Sequence, residues 1–62
     1  MSISENIKKY RMAIGLKQTE LAAKLNVNST YISHLERGTK VPSLPLARDM
    51  ASIFGCMVDD LL

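Results

Sequence analysis

The stretch from Gln18 to Gly38, QTELAAKLNVNSTYISHLERG, constrains the fold more than any other part of the chain. Leu21, Ala22 and Leu25 share one face of a helix over residues 18–25. Asn26 breaks that helix, because asparagine is second only to glycine where the backbone turns left-handed. Val27 then points inward as a plug, and Asn28 or Ser29 can cap a following helix. That second helix runs to Arg37 and stops at Gly38, a residue suited to the position just past a helix end.

The outer face of the second helix is unusual in composition. Ile32 and Leu35 lie one turn apart and face a core, with Tyr31 at their edge. Ser29, Thr30, Ser33, His34 and Arg37 are left on the opposite side, with no carboxylate among them. Short polar groups, an imidazole and a guanidinium can approach an anionic polymer closely and exchange hydrogen bonds with base edges. An ordinary solvated helix face can look the same, so the rest of the chain has to decide between them.

Length and charge narrow the choice. Sixty-two residues, 47% of them apolar, are enough for one compact domain with a small core. We therefore take residues 1–62 as a single domain. There is no apolar run of membrane-spanning length. MSISENIKKY lacks the apolar centre of a signal peptide. The single Cys56 excludes an internal disulfide and a cysteine-rich zinc site. No metal or cofactor is expected, no small-molecule ligand is evident, and a cytoplasmic location is the simplest expectation. The net charge of +2 says little, but its distribution says more. Residues 1–40 carry Lys8, Lys9, Arg11, Lys17, Lys24, Arg37 and Lys40 against Glu5, Glu20 and Glu36. Residues 41–62 carry Arg48 against Asp49, Asp59 and Asp60. The basic half surrounds the two-helix unit, as a nucleic-acid footprint would.

Taken in order, Ser2 and Glu5 have the spacing of a capping box, in which Glu5 bonds back to the Ser2 amide. Ile3, Ile7, Tyr10 and Ile14 form a helical apolar stripe that Gly15 ends, after which Leu16 inserts into the core. Arg11 flanks this stripe. An unpaired guanidinium there is costly to bury, so Arg11 either pairs with Glu36, beside Leu35, or extends to water. Lys17 stands where a serine, threonine or aspartate would cap the helix that starts at Gln18. Lysine at a positive helix end is either a tolerated surface residue or a phosphate contact, and Gln18 in the first turn could then hold a phosphate oxygen. Beyond Gly38, Thr39, Lys40 and Val41 form a loop to Pro42. Ser43 caps a fourth helix with Ala47, Met50, Ala51 and Phe54 facing inward and Gly55 at its end. Cys56 reads as a small buried hydrophobe. A short last helix from Val58 brings Met57, Val58, Leu61 and Leu62, more apolar surface than one turn can bury. These residues either close the core or meet a partner subunit.

These residues resemble the Cro and phage-repressor type of helix-turn-helix DNA-binding domain, the lambda-repressor-like regulators. The resemblance spans the whole chain. It rests on Arg11, Gly15-Leu16, Gln18, Glu20-Leu21-Ala22, Leu25, Val27, Ile32, Leu35-Glu36, Gly38, Pro42-Ser43-Leu44, Ala51, Gly55 and Leu61-Leu62. Two positions depart from the family pattern: Asn26 replaces the turn glycine, and Lys17 replaces the capping Ser or Thr. The resemblance implies an all-α, compact five-helix fold with Ser29–Arg37 as the recognition helix. It implies that Asn28, Ser29, Thr30, Ser33 and His34 sit where the family reads bases in the major groove. Phosphate contacts are implied for Gln18, Thr39 and Lys40, with Tyr31, Arg37 and Lys17 nearby. It also favours the Arg11–Glu36 pair as a structural tie.

The expected function is that of a sequence-specific regulator of transcription, a repressor in the first instance. A domain this small contacts too little DNA alone, so a homodimer on a palindromic double-stranded operator is expected, joined through Met57, Val58, Leu61 and Leu62. The rival class is a protein-interaction module on the same fold. An enzyme is not expected, because His34 and Cys56 stand in separate parts of the chain with no nucleophile, base and orienting group together. His34 could add a pH response.

Overall fold

The structure, a computed structural model, describes residues 2–62. These form five helices and no strand: α1 Ile3–Ala13, α2 Gln18–Leu25, α3 Ser29–Arg37, α4 Leu44–Phe54 and α5 Val58–Leu61. The all-α, five-helix expectation is met.

Side chains supply most helix starts. The Glu5 amide donates to Ser2 Oγ at 3.3 Å, the Thr30 amide to Asn28 Oδ1 at 2.8 Å, and the Leu46 amide to Ser43 Oγ at 3.3 Å. Each bond satisfies an amide that the first helical turn leaves without a partner. Asn28 rather than Ser29 is therefore the cap of α3. At Ser2 the expected return bond differs: Glu5 Oε1 accepts from the Ser2 hydroxyl at 3.0 Å. At α2 the Lys17 side chain has no acceptor to offer. Only the reciprocal half of a box forms there, with the Lys17 amide donating to Glu20 Oε1 at 2.8 Å.

Four helix ends share one solution. The chain turns left-handed for one residue, and the next amide then donates five residues back. The bonds are Leu16 N to Arg11 O at 3.1 Å, Val27 N to Ala22 O at 3.0 Å, Thr39 N to His34 O at 3.1 Å and Cys56 N to Ala51 O at 3.0 Å. This closure satisfies the last carbonyls and swings the following residue back across the helix end. Leu16, Val27 and Cys56 are turned against the core in this way. Asn26 holds the left-handed position of the helix-turn-helix at φ 57°. Gly38 holds it at φ 80°, where a Cβ would also come within 3.4 Å of Ser4 Oγ on α1.

α3 packs on both α1 and α2, while α4 carries α5 back onto α1. Ile7, Leu21, Ile32, Leu35, Met50 and Leu61 are completely buried where these helices meet. The Tyr10 and Phe54 rings stack at 5.8 Å between α1 and α4. Two expectations are corrected. Ile14 is not part of the core stripe: it is 42% exposed at the cap of α1, where the chain leaves the helix, and Leu16 turns inward instead. Leu61 has no exposed surface and so cannot join a subunit contact. α5 is a single turn, and Leu61 is its fully buried residue. The end of the chain is fastened through Asn6, a buried amide on α1 whose Nδ2 donates to Leu61 O at 3.0 Å.

Candidate nucleic-acid interface

The interface is framed from behind by one ion pair. Arg11 Nε and Nη2 donate to the two oxygens of Glu36 at 2.6 and 3.0 Å, and Nη1 donates to Leu16 O at 2.7 Å. The Glu36 side chain is only 3% exposed. A carboxylate so placed needs partners in protein, because it has lost its water. Gln18 supplies another, donating from Nε2 to Glu36 Oε1 at 3.1 Å. The start of α2 is thereby tied to the end of α3. The Gln18 amide nitrogen, expected to face a phosphate, keeps one hydrogen for that purpose and commits the other to Glu36.

With Glu36 turned inward, the outer side of α3 carries no carboxylate. Ser29 and Ser33 are half-buried and Thr30 is exposed. Their hydroxyls make no hydrogen bond among the described residues, so their donors and acceptors remain available. Asn28 commits Oδ1 to the cap and keeps its Nδ2 donors. His34, Arg37 and Thr39 are drawn into one cluster: His34 Nδ1 lies 3.0 Å from Thr39 Oγ1 and 3.3 Å from Arg37 Nη2. Arginine can only donate, so the contact with Arg37 requires Nδ1 to accept and the ring proton to sit on Nε2. The Thr39 hydroxyl has one proton, shared between that Nδ1 and His34 O, 3.2 Å away. Lys40 Nζ lies 5.8 Å from the centre of the Tyr31 ring, which holds the loop against the helix. Lys17 is exposed and its side chain makes no capping hydrogen bond.

Of the residues expected at a partner contact, Met57 is 70% and Leu62 66% exposed, while Val58 is half-buried. They line an open groove between α4 and α5 together with Leu44 and Arg48. The sequence reading missed that α4 contributes to this surface. The signal was present: Leu44, Arg48 and Ser52 recur every four residues, a row beside the inner stripe. Cys56 borders the groove, and burial, with the Asp60 carboxylate adding to it, pushes its thiol above the ordinary value. Among the described residues no helix is long and apolar enough to cross a membrane.

The comparisons agree with this architecture. A helix-turn-helix family model matches residues 7–61. The HTH-type transcriptional regulator DdrOP3 of Deinococcus deserti is 36% identical over 62 residues. All of this chain is covered, but it spans only 48% of that relative's length. An HTH-type transcriptional regulator of Archaeoglobus fulgidus is 40% identical over 55 residues, covering 89% of this chain and 79% of that one. The master regulator for biofilm formation SinR, solved in complex with DNA, superposes with a TM-score of 0.88 at 32% identity, covering 95% of both chains. The restriction-modification controller protein C.AhdI from Aeromonas hydrophila superposes with a TM-score of 0.88 at 25% identity, covering 97% of this chain and 91% of that one. The chain belongs to the Cro and phage-repressor type of the helix-turn-helix family, whose members are DNA-binding regulators of transcription.

Proposed function

We propose that residues 1–62 act as one domain that binds a palindromic double-stranded operator as a homodimer and represses transcription by occupying it. α3 lies in the major groove. Asn28, Ser29, Thr30, Ser33 and His34 meet base edges, while Lys17, Gln18, Tyr31, Arg37, Thr39 and Lys40 meet the phosphates on either side. The observation that carries this reading is the inward turn of Glu36. The one carboxylate on α3 is neutralised by Arg11 behind the helix, so an anionic duplex meets no negative charge on the face it approaches.

Supporting features are independent of one another. The basic residues concentrate in the first forty positions, around α2 and α3. The unengaged hydroxyls of Ser29, Thr30 and Ser33 suit contacts that tolerate several bases, so His34, Asn28 and the shape of the duplex weigh more in the choice of sequence. The solved relative SinR is itself in complex with DNA. Repression needs no further activity, since a bound dimer excludes other proteins from the same DNA. A regulator of this kind acts at the chromosome, in the cytoplasm.

Selection of bound duplexes from a random pool, followed by titration of the winning sequence, tests the reading. The expected outcome is a two-fold symmetric site whose affinity falls steeply with salt. Affinity that stays flat from low to moderate salt, or no enriched sequence, would refute it. A promoter fused to a reporter and carrying the selected site should be silenced by the protein.

A further inference from the structure

The groove between α4 and α5 has a volume of about 570 Å³ and brings exposed apolar side chains together with charges of both signs. Leu44, Met57 and Leu62, each more than half exposed, border it. Large apolar side chains gathered on one exposed face mark a contact surface more often than an idle one. The same groove holds one cation and one anion, Arg48 from α4 and Asp59 from α5. Both are exposed, and neither belongs to an ion pair among the described residues. The neighbouring carboxylate, Asp60, is already committed, accepting from the Met57 amide at 2.9 Å.

A groove of one sign would select a partner of the other. A groove with a single unpaired charge of each sign, on apolar walls, is complementary to itself. When two copies meet about a two-fold axis, a residue that contacts another is contacted in turn by its equivalent. One pairing of unlike charges is then made twice.

We infer that this groove docks against the same groove of a second copy, with Arg48 of each copy paired to Asp59 of the other. The inference rests on the homodimer proposed above and specifies how the partner is chosen. The apolar walls supply the attraction. The two ion pairs set the register and reject partners of different charge pattern, which is the part that charged groups at the rim of an interface play best.

The test is a charge exchange read by analytical ultracentrifugation of the whole chain, with circular dichroism as the check on folding. Arg48→Glu alone and Asp59→Lys alone each turn two attractions into two repulsions. Each should weaken self-association about tenfold or more, and less at high salt. An equimolar mixture of the two variants should regain the wild-type sedimentation, as a heterodimer in which both pairs are restored with reversed or original sign. Because Asp59 lies in the first turn of the short α5, Asp59→Asn is run beside it. That variant should weaken the dimer by a smaller factor and still associate preferentially with Arg48→Glu. Single variants that dimerise like the wild type, or a mixture that remains monomeric, would overturn the inference while leaving a dimer formed in some other way. A wild-type protein that is monomeric at every concentration and on its operator would instead overturn the homodimer itself.

Discussion

Arg11 and Glu36, 25 positions apart in the chain, form a two-bonded ion pair that joins α1 to the inner flank of α3. Both side chains are largely withdrawn from water, so neither charge is stable without the other. The pair is a fixed point behind α3, the helix proposed to enter the major groove. Replacing Arg11 by Met should lower the free energy of unfolding by about 3 kcal/mol, because Glu36 is left buried with only Gln18 for company. Urea denaturation measures this. Adding Glu36→Leu to Arg11→Met should recover much of the loss, since removing both charges is far less costly than removing one.

A second buried tie should be weaker. Asn6→Ala removes the donor that reaches the Leu61 carbonyl from α1 and should cost about 1–2 kcal/mol. Amide exchange should show the loss first in α5, which has a single turn of its own to hold it.

The residues proposed to meet DNA should separate by what they touch. Lys40→Ala should weaken binding to all duplexes alike and reduce the salt slope by about one. Ser29→Ala with His34→Ala should instead flatten the preference among sequences while leaving the salt slope nearly unchanged. A double variant that still selects the wild-type site would remove the proposed reading face.

The two leucines at the chain end provide an internal contrast. Leu61→Ala empties a completely buried position and should destabilise the domain by about 2–5 kcal/mol. Leu62→Ser alters an exposed side chain. It should leave stability within about 0.5 kcal/mol and weaken self-association. Thermal unfolding and ultracentrifugation, run on both variants, distinguish the roles.

Cys56 should be a slow nucleophile. Burial raises its thiol, so little thiolate is present near neutrality and more appears only as the pH climbs. Alkylation at pH 8 should therefore lag behind that of a cysteine in a short unstructured peptide.

The helices and their order were legible because each one is punctuated locally. Ser43 at the start of α4, Gly38 at the end of α3 and Asn26 between α2 and α3 all impose backbone geometry within a few residues. What was not legible depends on distance across the fold. Ile14 fits the spacing of an apolar stripe, but spacing does not show where the helix stops, and one residue past the last turn is enough to leave it in water. Asn6 reads as an ordinary polar residue because its acceptor is 55 positions away. Lys17 reads as a missing cap because the bond that compensates for it comes from Glu20, in the return direction. Arg48 gains meaning only when α5 folds back beside α4 and sets Asp59 in the same groove. Within the set proposed to meet DNA, residue types were readable from the sequence. Their internal commitments, such as Gln18 to Glu36 and His34 to Thr39, required coordinates.

The inward turn of Glu36 leaves structural duty and recognition on opposite sides of a single nine-residue rod. Ser29, Thr30 and Ser33 make no side-chain hydrogen bond among the described residues, so their replacement breaks no hydrogen bond that holds the domain together. A lineage, or a laboratory library, can therefore retarget this scaffold one position at a time without first repairing its stability.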